Sequence, residues 1–397
     1  MKKCKPVKLK DIAVKKLEYG SGASAIEYDG NTRYIRITDI NEFGDLSKKK
    51  VSPSQFNEKY TLNKGDILFA RSGATVGKTY IHTEDDGISI YAGYLIRFIP
   101  NKELVNPKYV YYYTKSPRYQ NFIQLSQRAV AQPNINAKQY SEMDLPLYSM
   151  DIQNQITKIL DKTQEIINCQ KRQLEELDHL IRATFYEMFG DPVRNDKNLK
   201  TIKLIDLIQN RGDLVDGPFG SSVNTNTDYI ENGEIPVIRT KNVSNNLEFV
   251  TDDLKFMTRE KYNTVIRSQV LPNDIILTKV GTIGNVCIFP SLYKEAVLST
   301  TGSCRIRPNK SMIEPKFLMY YLYFYKPKML KIASTGVQAF LNMNHIKNFD
   351  IFHVEKAKQE KFIEIIEKIE EQKSIVKQSI DNSQNLLDSL MGKYFDY

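Results

Sequence analysis

Two stretches of 33 residues each repeat their core positions at alternating spacings of four and three, and the second copies the first at a constant offset of 206 residues. The first runs Ile156, Leu160, Thr163, Ile167, Gln170, Leu174, Leu177, Ile181, Thr184, Met188. The second runs Phe362, Ile366, Ile369, Lys373, Val376, Ile380, Ser383, Leu387, Leu390, Tyr394. A 3.5-residue period keeps one apolar seam facing a partner helix along its whole length. At 1.5 Å per residue, each stretch predicts a helix of ~50 Å. Ordinary globular helices are shorter, so a long amphipathic helix lying on its own domain is the weaker reading. Two matched helices predict mutual packing, antiparallel if the halves are pseudo-symmetric. Polar positions such as Gln170 and Lys373 lower the stability of a seam but can fix its register.

A similar offset, near 206 but varying by two or three residues, relates the segments before the helices. Tyr34-Ile35-Arg36-Ile37-Thr38-Asp39-Ile40 reads as an alternating strand and aligns with Val237-Ile238-Arg239-Thr240-Lys241-Asn242-Val243. Lys64 to Arg71 aligns with Pro272 to Lys279, and each copy then enters a glycine turn, Gly73–Gly77 or Gly281–Gly284. Pro107 to Tyr113 matches Pro315 to Tyr321 as a helix start with proline in its first turn. Asn134-Ile135-Asn136 is matched with Asn342-Met343-Asn344 and assigned to a turn. A period this long means duplicated domains, not a solenoid. The expected fold is α+β, with two tandem pseudo-symmetric domains each followed by a long helix, the helices forming an antiparallel coiled coil. The expected boundaries are 1–150 and 191–356 for the domains, and 151–190 and 357–397 for the helices.

Charge divides along the same lines. The net +9 comprises +8 in residues 1–150, −2 in 151–190, +5 in 191–356 and −2 in 357–397. Basic domains attract a polyanion such as DNA, although a basic surface also serves solubility. No apolar run reaches membrane-spanning length. Four scattered cysteines suit reduced thiols, so a cytoplasmic protein is expected.

Other chemistry finds little footing. Ser72 to Thr79 ends like a phosphate-binding loop but has three residues between its glycines where four are needed, and the second copy lacks the Lys-Thr pair. No Asn/Asp-Pro-Pro-aromatic methyltransferase motif and no convincing nuclease carboxylate set occurs. The four histidines lie too far apart for a local metal site, so no metal is expected. The tyrosines around Tyr109–Tyr113 and Tyr320–Tyr325 read as core packing.

Against this background the chain resembles the specificity subunits of type I restriction-modification systems. Asp216-Gly217-Pro218-Phe219-Gly220-Ser221-Ser222, then Ile235 to Thr240, is similar to the opening of their recognition domain. So is the run Gly65 to Gly73, and so are Gln153 and Gln359 just before the helices. The resemblance implies a non-catalytic subunit with two target-recognition domains, each reading half of a bipartite, interrupted double-stranded DNA target. It implies helices that set the spacing and dock modification subunits, two of them, which bind S-adenosylmethionine. Restriction subunits could add ATP-dependent translocation and cleavage. This chain itself is expected to bind no cofactor. Independently, half-sites read from one side of B-DNA lie ~34–36 Å apart, within reach of a ~50 Å helix pair. A single-chain restriction or modification enzyme, and a coiled-coil adaptor without a DNA role, are the competing readings.

Candidate DNA contacts are basic, hydroxyl and amide side chains in recurring loops, because Arg suits guanine and Asn or Gln suits adenine. They are Arg33, Arg36, Arg71, Ser72, Lys78 and Arg128 in the first copy. In the second they are Ser221, Ser222, Arg239, Lys241, Lys279 and Asn285. Arg36 and Arg239, which share a strand position, could instead be structural ion pairs.

Overall fold

The computed structural model describes residues 5–127, 134–333 and 339–396. Two helices of 40 residues, Met150–Phe189 and Lys356–Phe395, follow the two α+β segments. Contacts divide the chain into two compact units, and each long helix contributes to both. Met1–Gln173 goes with Val376–Tyr397, and Leu174–Ile375 forms the second unit.

In the first unit the helices run antiparallel. Ile156, Leu160 and Ile167 share one core with Leu387, Met391 and Phe395, and Gln170 Nε2 donates to Ser379 Oγ at 2.7 Å. The second unit shows the same polarity: Phe185 and Phe189 pack on Phe362, and Lys373 pairs with Asp178. Leu177, Ile181, Ile366, Ile369 and Val376 are buried, while Leu174, Ile380 and Leu390 are half-buried. The expected antiparallel seam is therefore present.

Near the end of each helix burial leaves the heptad pattern. It steps by four, from Ile181 to Phe185 and Phe189, and from Leu387 to Met391 and Phe395. Thr184, Met188 and Tyr394 are only half-buried. At ~100° per residue, an i, i+4, i+8 stripe swings by ~40° per step around the helix, away from the heptad seam. Here it turns the last two turns toward domain aromatics. Phe395 packs on Tyr109 and Tyr113, and Phe185 packs on Phe317 and Phe324.

Each domain is built on a four-stranded antiparallel sheet. In the first the spatial order is Glu18–Tyr19, Leu95–Phe98, Ile67–Ala70, Thr79–Ile81. In the second it is Leu214–Asp216, Ser303–Ile306, Ile275–Thr278, Val286–Ile288. The register repeats too, with Ile67 opposite Phe98 and Ile275 opposite Ile306. Lys5–Lys8 pairs with Asp144–Leu147, and Thr201–Lys203 with Asp350–Phe352, so each domain opens and closes on one two-stranded ribbon.

Two local expectations are corrected. The stretch expected as one strand from Tyr34 is a strand only over Arg33–Ile35, then a 3-10 turn over Ile37–Asp39. The Asp39 carboxylate accepts from the Arg36 amide and ends the strand, as Asn242 Oδ1 does for the Arg239 amide. The asparagine match also moves by two residues. Asn136 and Asn342 are the equivalent helix caps, accepting from the Gln139 and His345 amides.

A buried glutamine fixes each helix to its domain. Gln153 Oε1 accepts from the Asn106 amide at 2.8 Å, while its Nε2 donates to the Leu104 and Tyr148 carbonyls. Gln359 does the same with the Glu314 amide and the Met312 and Val354 carbonyls. The buried tyrosines behave as expected of core: Tyr109 donates to the Pro146 carbonyl and Tyr321 to that of Asp350. Cys287 and Cys304 are free and buried, their thiols pushed up to about 12 by desolvation. No helix among the described residues is long and apolar enough to cross a membrane.

Replacing Gln153 with Leu leaves one amide and two carbonyls without partners, and should lower stability by about 2–4 kcal/mol in urea unfolding. Phe395→Ala should cost about 3–5 kcal/mol. Hydrogen exchange should show the loss of protection in helix Pro107–Tyr113, not in Pro315–Ala333.

Candidate nucleic-acid interface

The candidate residues separate into those whose polar groups are satisfied inside the domain and those that face out. Arg33 is buried, and its guanidinium donates to the Ser47 carbonyl at 2.6 Å. Asn285 is buried between the Val243 carbonyl, to which it donates at 3.0 Å, and the Lys326 ammonium, from which it accepts at 2.6 Å. The Lys279 side chain is 5% exposed and pairs with Asp216 at 3.3 Å. In the structure all three side chains are engaged inside their domains, not on the outward surface where they were expected. A sequence shows that a loop residue is polar, not which way it points.

Arg36 forms a two-pronged pair with Asp39, Nε at 3.0 Å and Nη2 at 2.8 Å, which is the structural ion pair named above as its alternative. It still lines an open cleft of about 380 Å³ with Ser21, Tyr34, Thr38, Gly93 and Tyr94. Arg239 and Lys241 converge on Asp253, joined there by Lys255. Lys255 also pairs with Glu231, so three cations here share two carboxylates. Desolvation, then the Arg239 and Lys255 cations, lower the pKa of Lys241.

Arg71, Ser72 and Lys78 are brought together by the glycine turn. Gly73 and Gly77 hold positive φ angles of 65° and 86° and return the chain directly into the strand Thr79–Ile81. The loop thus links two antiparallel strands, whereas a phosphate-binding loop leads from a strand into a helix. The Arg71 guanidinium lies over the Tyr19 ring, 4.8 Å from its centroid, and its Nε donates to Asn134 Oδ1 at 3.3 Å. Ser221 and Ser222 are exposed in a loop that also exposes Phe219. Arg128 lies outside the described residues.

Tyr19, Tyr94 and Phe219, exposed at 42%, 62% and 62%, are surface aromatics that sequence reasoning misses. Among 24 tyrosines and 18 phenylalanines, composition gives no sign of which face outward. Tyr19 and Phe219 do lie close to glycines that bear the chain's close turns. A Cβ at Gly20 or Gly217 would overlap the carbonyl of Ala92 or Thr300. Among the described residues no group of three or more His, Cys, Asp or Glu side chains is placed to hold a metal ion.

A family model described as the type I restriction modification DNA specificity domain matches residues 1–179 and again 211–382. The chain belongs to this family. It carries the specificity domain twice, once in each half of the internal repeat. Among similar proteins, the putative type I restriction enzyme MjaX specificity subunit of Methanocaldococcus jannaschii is 25% identical over 314 residues, 76% of this chain and 69% of that one. The MjaVIII specificity subunit of the same organism is 20% identical over 374 residues, 89% and 83% of the two chains. Solved structures share the fold. A chain from work on complex assembly and conformational transition of the type I R-M system aligns over 98% of this chain and 97% of its own, with a TM-score of 0.63 and 14% identity. The S subunit of the type I restriction-modification system from M. genitalium aligns over 100% and 96%, with a TM-score of 0.55 and 14% identity.

The inward and outward groups should separate on substitution. Asn285→Ala should lower the stability of the type I specificity subunit by about 2 kcal/mol. Ser221→Ala and Ser222→Ala should stay within about 0.5 kcal/mol of the parent in the same urea titration.

Proposed function

We propose that this specificity subunit is the non-catalytic DNA-reading component of a restriction-modification complex, each domain recognising one half of a bipartite, interrupted target. The observation that carries this reading is the double occurrence of the specificity domain, on one scaffold but with different outward chemistry. The first copy presents Arg71, Tyr19 and Tyr94, and the second Ser221, Phe219 and the cations around Asp253. Two such domains with unlike surfaces suit a target of two unlike halves. Their net positive charge supplies the salt-dependent, sequence-independent part of the affinity.

The long helices set the spacing of the half-sites and dock modification subunits, two per chain to match the duplication. Ile152, Ile159 and Ile166 support docking. They recur every seven residues on the first helix, yet are 37%, 41% and 52% exposed, a stripe that suits a partner helix. The modification subunits would bind S-adenosylmethionine and methylate the target. Restriction subunits would add translocation and cleavage. A cytoplasmic location follows from work on cellular DNA.

Sequencing methylated bases in cells with and without the gene tests the reading. An interrupted motif should appear only when the gene is present. Exchanging residues 1–150 for another recognition domain should change one half of that motif and leave the other. Adding one heptad to each long helix, ~10.5 Å at 1.5 Å per residue, should widen the gap by about three base pairs. Methylation that persists without the gene, or a gap indifferent to helix length, contradicts it.

A further inference from the structure

The duplication allows the two domains to be compared position by position, and one position differs in a way that bears on recognition. Arg71 and Lys279 each follow the last residue of an equivalent strand, Ile67–Ala70 or Ile275–Thr278. Their backbones are held alike. The Arg71 amide donates to the Tyr94 carbonyl and the Lys279 amide to that of Gly302. Their carbonyls accept from the Ile135 and Leu341 amides, both at 2.9 Å. The neighbouring residue is equivalent as well: Tyr19 sits opposite Ile96, and Asp216 opposite Cys304.

The side chains on this shared frame behave oppositely. In the second domain Asp216 draws the Lys279 ammonium inward and neutralises it. In the first domain Tyr19 offers a ring face instead of a carboxylate, and the Arg71 guanidinium stacks on it without losing charge. The ring is itself fixed, because its hydroxyl accepts from the Ala137 amide at 3.1 Å. Asn134 holds the Nε edge. Among the described residues the two Nη nitrogens have no protein partner.

A guanidinium held over a ring on one face and hydrogen-bonded along one edge is a planar fork whose outer N–H donors have no partner among the described residues. Part of its rotational freedom is given up before any ligand arrives, which favours binding. Such a fork fits two acceptors lying side by side in one plane. In duplex DNA the major-groove edge of guanine presents N7 and O6 in this way. A phosphate also accepts from a fork, but a point charge such as lysine can serve it too, and such a contact carries no sequence information.

We propose that Arg71, oriented by Tyr19 and Asn134, reads a guanine in the half-site of the first domain, and that Lys279 makes no such contact in the second. Arg71 is then a specificity-determining residue, and Tyr19 a positioning residue that acts through it. The inference rests on the reading of the chain as a DNA specificity subunit.

The test uses the full chain and a library of duplexes of randomised sequence, sequencing the bound fraction. The parent should enrich a bipartite motif. Arg71→Lys keeps the charge but loses the fork, and should reduce the preference for one G·C pair in one half by about ten- to a hundredfold, leaving the other half unchanged. Tyr19→Leu leaves Arg71 in place and should weaken the preference at that same base pair. Thermal melting monitors folding of both variants. An unaltered motif in Arg71→Lys overturns the assignment. So does an Arg71→Ala variant that binds every duplex equally more weakly with a salt slope shallower by about one, the mark of a phosphate contact. If the parent enriches no motif, the specificity-subunit reading itself fails, an outcome distinct from a motif that survives substitution.

Discussion

In each of the two units, one hydrophobic core is closed by the last two turns of a long helix. Phe395 fills a space among Tyr109 and Tyr113, and Phe185 and Phe189 do so among Phe317, Phe324 and Phe362. The helix therefore cannot slide relative to the domain without opening an aromatic cavity, which proteins tolerate poorly. At its other end each helix is fixed by an amide side chain, Gln153 or Gln359, that both accepts and donates. Packing at one end and polar satisfaction at the other give the antiparallel seam a defined register. The Gln170–Ser379 hydrogen bond adds a further check on it.

Once the frame is held this firmly, the outward residues are free to differ. Arg97 with Asp66 in the first domain forms a buried ion pair. In the second, Asp274 keeps its place but takes Arg307 as partner. The structural charges thus persist with small rearrangements, while the position of Arg71 and Lys279 changes its chemistry altogether. A scaffold that fixes backbone by backbone hydrogen bonds leaves the side chain to selection.

The fold is legible in the sequence because its strongest signals are periodic. The heptads at Ile156 to Ile181 and Phe362 to Leu387 follow from geometry that any partner helix imposes, and the 206-residue offset exposes the duplication. The heptad reading fails where the partner changes. Phe185 in the first helix and Phe395 in the second lie off its positions, because they answer to domain aromatics. The recognition surface is far less legible. Arg33, Lys279 and Asn285 are polar residues like Arg71 and Ser221, yet they point inward because Ser47, Asp216 and Val243 lie beneath them. Tyr19 escapes notice for the converse reason, being one exposed ring among many buried ones.

The placement of Phe395 has a consequence for how the chain is made. The first domain's sheet can form as soon as its own residues have emerged, but one wall of its core belongs to residues 387 to 395. At ~5–20 residues per second, the domain waits roughly ten to fifty seconds for that wall. During this interval Tyr109 and Tyr113 face an open apolar gap, so a chain interrupted in translation is left with a sticky and incomplete first domain. Synthesis to the last helical turn is what converts it into a finished one.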